Sequence, residues 1–307
     1  MASRGASAEP SLRRALVFGG TGIGWGVAKA LAGAGAEVTV AGRKRGEGQV
    51  SSMLSDLQAA SRASAVAGAS RARHRFLECD GTSLASVRSL AAETKGKVDW
   101  LAMTPGVGGS LDGYSPTGDG LDRKLQLHYF SRMHLARLLA PEMAAKSADP
   151  RVLTVLSGGV HGKFTKFRDE EDGEGAFELR NPGGFSVQRA ADAAGYYTDA
   201  GFESLARENP KLAVVHASPG FVSSNWGNDF PLPLALFVRF CKALPFLATS
   251  VEACGEVMVG AMLRAGPGFS TVDQHGKTLP RESIKHTEAD RDYIWKRTTG
   301  ILDVISA

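Results

Sequence analysis

Two adjacent tyrosines, Tyr196 and Tyr197, lie in the stretch FSVQRAADAAGYYTDA at residues 185–200. A tyrosine hydroxyl can give a proton to a reacting oxygen, but only when its ordinary pKa of about 10 is pulled towards neutrality. A lysine one helical turn later would do this, yet no lysine stands four places after either tyrosine. The stretch therefore raises the question of which residues, if any, carry proton chemistry in this chain.

The two tyrosines would lie on different faces of a helix beginning near Ser186. Tyr196 lies on a polar face, which it shares with Arg189, Asp192, Asp199 and Glu203. Tyr197 lies on a face of small residues, which it shares with Ala190, Ala194 and Gly201. A face of small residues usually packs closely against another helix. The pattern alone leaves open which tyrosine could reach a site.

A glycine-rich turn near the start of the chain could bind phosphate. The segment VFGGTGIGWGVAKAL, residues 17–31, has apolar strand residues, a turn of glycines and then helix-forming residues. Glycines permit a tight turn and let backbone N–H groups approach a pyrophosphate at the positive end of a helix. Five residues of this turn are therefore predicted ligands of a dinucleotide: Gly19, Thr21, Gly22, Ile23 and Gly24.

Short apolar runs alternate with alanine-rich helical stretches over most of the chain. Predicted strands cover residues 15–20, 37–42, 75–80, 97–103, 151–158 and 212–218, and the longest predicted helix covers about 120–145. Such alternation favours right-handed β–α–β crossovers and a parallel sheet covered on both faces. The sequence therefore predicts the α/β class, as a single doubly wound Rossmann-type domain with about seven parallel strands.

No repeat and no linker divides the chain. Residues 1–13 are predicted to be a flexible N-terminal segment, and residues 14–307 one dinucleotide-binding and catalytic domain. An acidic, glycine-containing insertion is predicted near residues 168–184, between a strand and the tyrosine-bearing helix.

The segment GIGWGVAKAL and the strands around it resemble the short-chain dehydrogenase/reductase family, over about residues 14–275. The resemblance implies an oxidoreductase that uses a nicotinamide dinucleotide. The loop of that family is usually Thr-Gly-x-x-x-Gly-x-Gly. Here Gly19, Gly22 and Gly24 give the same turn with one residue fewer.

The end of the second strand indicates which cofactor is used. NAD-specific proteins of this fold place a carboxylate there, whereas this chain has Gly42 followed by Arg43. Arginine can bind a 2′-phosphate through two hydrogen bonds, so NADP(H) is favoured, with Arg43 as its ligand, although a solvated basic turn is the alternative. The resemblance adds Asp80 beside the adenine. It also implies that the segment SPGFVSS, residues 218–224, contacts the nicotinamide end of the cofactor, through Pro219, Gly220 and Ser224.

Ser157, at the end of the fifth strand, matches the serine that orients a carbonyl in the family. The segment MTPG, residues 103–106, replaces the usual Asn-Asn-Ala-Gly, and His128 aligns with a supporting asparagine of the next helix. A histidine can assist a proton relay, although a buried histidine satisfied by a neighbour is equally consistent with the sequence.

The family's Tyr-x-x-x-Lys pair is missing. By distance from the Pro219–Gly220 segment, Phe185 and Arg189 occupy that register, which removes the phenol and keeps a positive charge beside the ribose. Tyr196 lies eleven residues beyond Phe185, about 16 Å along a helix. A divergent branch of the family resembles this chain and has Tyr197 as the recurring tyrosine. Tyr197 is therefore the predicted proton donor, and a helix shifted by the insertion is required.

The composition excludes several classes of protein. A net charge of +4 without long basic runs does not indicate nucleic-acid binding. Three scattered cysteines form neither a disulfide framework nor a metal site, so no metal is predicted and a reducing, cytoplasmic location is expected. The first residues lack the apolar core of a secretory signal.

A substrate lid is predicted near residues 225–248, where the apolar run FPLPLALFVRFCKALPFLA contains three prolines and two basic residues. These interruptions argue against a membrane span. The run is consistent with an apolar substrate, a contact in a homo-oligomer, contact with a membrane surface, or ordinary core helices. The sequence as a whole predicts an NADP(H)-dependent oxidoreductase that interconverts a carbonyl and an alcohol on an apolar small molecule. The alternative is a non-catalytic NADP(H)-binding sensor or scaffold.

Overall fold

A computed structural model describes residues 12–107, 113–180, 186–224, 236 and 248–306 of the chain. Three predicted features lie wholly or partly outside these residues: the start of the N-terminal segment, the end of the acidic insertion with Phe185, and nearly all of the predicted lid.

Seven parallel strands form one sheet, in the order β3-β2-β1-β4-β5-β6-β7. They are β1 (Arg14–Phe18), β2 (Glu37–Gly42), β3 (Arg75–Glu78), β4 (Trp100–Met103), β5 (Arg151–Val155), β6 (Ala213–Ala217) and β7 (Gly268–Val272). The prediction of a doubly wound Rossmann-type domain with a parallel sheet of about seven strands is confirmed. β2 has its predicted bounds, and the other five predicted strands are longer than the described ones, because their predicted ends lie in loops; β7 was not located from the sequence.

The longer helices alternate with these strands. They are α1 (Ile23–Gly33), α2 (Glu47–Arg62), α3 (Leu84–Thr94), α5 (Ser131–Lys146), α7 (Val187–Glu208), α8 (Val251–Arg264) and α9 (Glu288–Ser306). Two short helices, α4 (Arg123–Leu125) and α6 (Asp169–Asp172), and a π-helical turn (Gln126–Phe130) complete the α-type elements described here; 3-10 turns lie at Ala69–Arg71 and Arg281–Ser283.

Both faces of the sheet are buried. Along β1 the side chains alternate: Leu16 and Phe18 enter the core shared with α3, α5, α7 and α9, whereas Ala15 and Val17 enter the core shared with α1 and α8. Helices α1 and α8 cross closely, since a Cβ added to Gly26 would lie only 2.1 Å from the carbonyl oxygen of Val251. This double coverage explains why most residues inside the central strands are apolar, such as residues 15–18 of β1.

The acidic insertion is tied to the C-terminal helix. Asp169 of α6 pairs with Arg297 of α9 at 2.6 Å, and Arg168 pairs with Asp290 at 2.8 Å. Phe177 of the insertion is completely buried against α7 and its neighbours. Residues 168–180, the described part of the insertion, therefore pack as part of the domain, which their charge alone did not indicate.

The carboxyl ends of all seven strands lie at one edge of the sheet. The order reverses beside β1, which pairs with β2 on one side and β4 on the other. In open parallel sheets, ligands bind outside the carboxyl ends at this reversal. None of the helices within the described residues has the length and apolar character needed to cross a membrane.

Candidate functional site

The glycine turn joins β1 directly to α1, as predicted. Gly22 has φ 50° and ψ −125°, a combination that favours glycine, and α1 begins at the next residue. Gly24 has no space for a side chain, because an added Cβ would lie 1.7 Å from the carbonyl oxygen of Gly19. The hydroxyl of Thr104 donates to that same carbonyl at 3.0 Å. The shortened loop therefore keeps a rigid turn with the helix N-terminus behind it.

The segment after β6 forms the opposite wall. Gly220 has φ 67°, and the chain then returns so that an added Cβ on Gly22 would lie 3.2 Å from the Cβ of Ser224. A groove here is lined by Gly22, Trp25, Ser223, Ser250, Val251 and Glu252. The structure thus brings together two predicted cofactor segments that are about 200 residues apart in sequence.

The basic end of β2 lies beside the glycine turn. Arg43, the predicted ligand of a 2′-phosphate, is exposed. Arg45 instead folds back: its Nη2 donates to the carbonyl of Gly20 at 3.2 Å, and its guanidinium lies over the ring of Phe76 at 6.0 Å. Sequence reasoning missed Arg45, since the fold-back depends on Phe76 of the neighbouring strand.

Asp80 follows β3 and is exposed. Its Oδ1 accepts from the backbone N–H and the hydroxyl of Thr82, at 2.9 and 2.8 Å. This is a local turn interaction, and Oδ2 is not needed for it. A contact to adenine stays a prediction.

Ser157 lies two residues beyond β5, and its hydroxyl oxygen is buried without a hydrogen-bond partner among the described residues. The oxygen faces α7 at Gly195, where an added Cβ would lie 2.5 Å away from it. A buried unpaired hydroxyl costs about 1–3 kcal/mol, so such a group calls for a specific explanation. A ligand oxygen is one partner that would satisfy it.

His128 lies in the π-helical turn, a feature that frequently marks functional sites. Its Nε2 accepts from the backbone N–H of Val107 at 3.2 Å. Burial, together with the nearby Arg132 charge, lowers the pKa of His128 to about 3, so the ring is neutral at ordinary pH. This geometry argues against His128 as a proton donor. It favours the alternative stated for the sequence, a buried histidine satisfied by a neighbour, which here holds the loop after β4.

Arg132 is buried one turn after His128 and was missed by sequence reasoning. Its guanidinium donates to the carbonyl of Leu127 in the π-helical turn. It also donates to backbone and hydroxyl oxygens at the ends of β4 and β5: Met103, Pro105, Thr154 and Val155. Burial lowers the pKa of Arg132 to about 9. An arginine inside the apolar run YFSRMHLARLL was the available signal.

The two tyrosines of α7 are both engaged elsewhere. Tyr197 is fully buried, its hydroxyl donates to the carbonyl of Phe177 at 3.2 Å, and its ring stacks on that of Phe177 at 4.5 Å. Burial raises the pKa of Tyr197 well above its ordinary value. Tyr196 donates to Asp290 Oδ2 at 2.9 Å, and burial raises its pKa too. The predicted proton-donor role of Tyr197 therefore finds no support in its position, because a sealed phenol with a raised pKa is a poor acid.

Comparison with known proteins gives the family. A sequence model described as "short chain dehydrogenase" matches residues 13–166, just over half of the chain. The chain belongs to the short-chain dehydrogenase family. The matched region includes the glycine turn, the π-helical turn and Ser157.

Named relatives are fungal. An oxidoreductase from Emericella nidulans is 29% identical over 256 residues, covering 82% of this chain and 71% of that protein. An oxidoreductase from Emericella variicolor is 23% identical and covers 95% of this chain and 91% of that protein.

Solved structures share the short-chain dehydrogenase fold. An uncharacterised protein from Mycobacterium paratuberculosis has a TM-score of 0.61 at 21% identity, with 95% of this chain and 93% of that one covered. A candidate short-chain dehydrogenase/reductase from Burkholderia multivorans, with bound NADP, has a TM-score of 0.56 at 20% identity, with 88% and 99% covered. An alcohol dehydrogenase from Thermococcus sibiricus, complexed with 5-hydroxy-NADP, has a TM-score of 0.57 at 13% identity, and the match covers 90% of this chain and 99% of that one.

Arg189 was predicted from the sequence to stand in place of the lysine of the short-chain dehydrogenases. Its Nη2 donates to the carbonyl of Lys166 at 2.8 Å, and its guanidinium lies 5.5 Å from the ring centroid of Phe164. The side chain is thus held by the segment after Ser157. A ribose contact stays a prediction, and Phe185, in the tyrosine register, lies outside the described residues.

The face of small residues on α7 is buried within the chain. Ala190 and Ala194 are at most 2% exposed, and an added Cβ on Gly201 would lie 2.7 Å from the hydroxyl of Tyr129. This face is not free to receive a second copy of the chain. A homo-oligomer, if formed, needs another surface.

Proposed function

We propose that this chain is an NADP(H)-dependent oxidoreductase that interconverts a carbonyl and an alcohol on an apolar small molecule. The observation that carries the proposal is the buried, unpaired hydroxyl of Ser157 at the carboxyl edge of the sheet, in a short-chain dehydrogenase whose glycine turn is intact. The apolar character of residues 225–248 supports the apolar substrate.

The residues of the cofactor groove fit a dinucleotide. A Cβ added to Gly22 would lie 3.2 Å from the Cβ of Ser224, and α1 begins at the next residue without a side-chain cap, so the positive end of that helix borders the groove. Thr21, Ile23, Asp80, Pro219 and Gly220 complete the proposed ligands. When bound, NADPH would supply a hydride to the carbonyl carbon of the substrate.

Two arginines would select the phosphorylated cofactor. Arg45 lies over the glycine turn with its Nε unpaired, and Arg43 is exposed beside it at the end of β2. A guanidinium attracts a 2′-phosphate and has no comparable partner on the hydroxyl of NAD(H). Two of the structural neighbours were solved with NADP or a hydroxylated NADP.

Ser157 would be the catalytic residue that touches the reacting oxygen. Its hydroxyl would donate a hydrogen bond to the substrate carbonyl as negative charge develops on that oxygen. A proton taken from solvent would complete the alcohol, and Ser157 would keep its own proton. We place the proton on this route because the hydroxyls of Tyr196 and Tyr197 already have partners within the protein.

The first experiment is a fluorescence titration of NADPH and NADH with the wild type, Arg45→Ala, Arg43→Ala and Lys44→Ala. Lys44→Ala is a matched control, because Lys44 is exposed and lies between the two arginines, and its substitution removes the same single positive charge. Loss of Arg45 is expected to weaken NADPH binding about tenfold, or about 1.4 kcal/mol, and to leave NADH binding nearly unchanged. Equal binding of the two cofactors by the wild type would refute the assignment to NADP(H).

A second candidate is a nucleotide-binding sensor without turnover. The burial of both tyrosines and the loss of the Tyr-x-x-x-Lys pair favour it. NADPH binding without oxidation across a broad panel of apolar aldehydes and ketones would support the sensor and contradict the oxidoreductase. A cytoplasmic location and a homo-oligomer stay predictions from the sequence.

A further inference from the structure

A buried carboxylate lies between two histidines beside the turn that carries Ser157. Asp199 of α7 is fully buried. Its Oδ1 lies 2.6 Å from Nδ1 of His216, and its Oδ2 lies 2.8 Å from Nε2 of His161. The backbone N–H of Gly159 also donates to Oδ2, at 3.3 Å. Three elements meet here: α7, β6 and the turn after β5.

The hydrogen bonds fix the tautomer of His216. Its Nε2 accepts from the backbone N–H of Ser157 at 3.2 Å, so the ring proton must be on Nδ1, where it is donated to Asp199. His216 is therefore neutral. Burial lowers the pKa of His216 and outweighs the opposing effect of Asp199.

His161 has an acceptor on each side. Its Nδ1 lies 2.8 Å from the carbonyl oxygen of Gly162, and its Nε2 lies 2.8 Å from the Asp199 carboxylate. A carbonyl and a carboxylate can only accept, so both ring nitrogens must carry protons. The ring is then an imidazolium, which forms a buried ion pair with Asp199.

The alternative is a neutral pair with the proton on Asp199. Burial alone would favour it by raising the pKa of that carboxyl, but the two imidazoles outweigh burial and hold the pKa of Asp199 well below its usual range. A buried carboxylate that receives three hydrogen bonds is stabilised in its charged form.

Other charged and titratable groups surround the pair. Lys285 donates to the carbonyl of His161, and Asp192 accepts from the backbone N–H of Gly162 at 2.8 Å. The ring of Tyr196 lies edge-on to His161, and Asp290 and His286 lie behind Tyr196. Besides burial, two cations act on His216 and lower its pKa, His161 first and then Arg132. Cations and anions thus both face the turn, and the carboxylate in direct contact with His161 is Asp199.

We propose that Asp199, protonated His161 and neutral His216 form a positioning network that fixes the Ser157 hydroxyl for catalysis. This inference rests on the proposed function for its catalytic consequence but not for its protonation pattern. The network holds two backbone N–H groups of the turn, those of Ser157 and Gly159, from α7 and β6. Removing the charge of His161 leaves Asp199 buried without its counter-ion and loosens the turn.

Nitrogen NMR of histidine-labelled protein near pH 7 tests the protonation pattern directly. We expect two protonated ring nitrogens on His161 and one, Nδ1, on His216, assigned with His161→Gln and His216→Gln. In Asp199→Asn the His161 ring should become neutral, and exchange of the Ser157 and Gly159 amides should become at least tenfold faster. A neutral His161 in the wild type would overturn the network, whether or not the protein turns over a substrate.

Turnover measurements test the catalytic consequence. His161→Gln is expected to lower kcat at least tenfold, with little change in NADPH binding. The control His134→Gln changes another buried histidine, on α5, and should leave kcat within twofold. Equal kcat in the two variants would overturn the positioning role. If the wild type binds NADPH without turnover while the NMR pattern holds, the proposed function fails and the network stands.

Discussion

At the scale of single residues, the hydroxyl of Ser157 is better placed to bind a substrate oxygen than the hydroxyl of Tyr197, although tyrosine is ordinarily the stronger acid. The Ser157 hydroxyl has no hydrogen-bond partner among the described residues, whereas the Tyr197 hydroxyl is buried and donates to the carbonyl of Phe177. Two predictions separate these roles.

Ser157→Ala should lower kcat about 100-fold and leave NADPH binding unchanged, because only a bond to the reacting oxygen is lost. Stability should hold or rise slightly, since the hydroxyl removed has no partner in the described structure. Steady-state kinetics and urea unfolding measure both. Ser204→Ala, which removes a buried hydroxyl bonded to the carbonyl of Ala200 on the same helix, is the control and should cost stability without cost to kcat.

Tyr197→Phe should leave kcat within about twofold and lower the free energy of unfolding by about 1 kcal/mol, the usual net value of one hydrogen bond. The lost bond is the one to the carbonyl of Phe177. A large fall in kcat with unchanged stability would restore Tyr197 as the proton donor and contradict the assignment to Ser157.

At the scale of elements, α7 approaches the Ser157 turn so closely that only glycine fits at the crossing. An added Cβ on Gly195 would lie 2.5 Å from the Ser157 hydroxyl oxygen and 2.7 Å from the Cβ and Cγ atoms of His161. The same helix supplies Asp199, one turn further on. Helix α7 therefore sets the position of the Ser157 hydroxyl, the proposed catalytic group, by contact and by hydrogen bonding.

Gly195→Ala should displace the Ser157 turn, lower kcat at least tenfold and cost about 1–3 kcal/mol of stability through overpacking. Gly201→Ala is the matched control on α7, where the added Cβ meets only the ends of Tyr129 and Met133. Kinetics and thermal unfolding of the two variants give the comparison. A kcat for Gly195→Ala equal to that of the control would show that this contact does not govern catalysis.

At the scale of the whole molecule, the segment after β7 is tied to α7 through one buried carboxylate. Glu203 is 5% exposed and accepts from Arg281 and His286, both at 2.8 Å. Burial would raise the pKa of Glu203, but these two partners outweigh it and lower the pKa from 4.5 to about 2. The ion pair thereby fastens the C-terminal segment, including α9, onto the domain.

This shift predicts how stability depends on pH. Because the folded state holds the pKa of Glu203 below its unfolded value, the stabilisation is present above pH 4.5 and is lost as the pH falls towards 2. Its size is on the order of 2–3 kcal/mol. In urea unfolding, the difference in the free energy of unfolding between the wild type and Glu203→Gln should be largest at pH 6 and should become small near pH 2.5. The exposed control Glu282→Gln should show no such gap, and a gap independent of pH would contradict the ion-pair account.

The sequence by itself determined what local pattern can encode: the first six strands in order, the glycine turn after β1, and Ser157 just beyond β5, whereas β7 was not located. These depend on periodicity and backbone geometry within a few residues. It did not show the partners of side chains that are far apart in sequence. The fold-back of Arg45 needs Phe76, and Asp199 meets His161 and His216 from 38 and 17 residues away. Whether Tyr197 is exposed or buried was likewise decided by packing, since only the assembled domain determines burial, and burial raises the pKa of its hydroxyl.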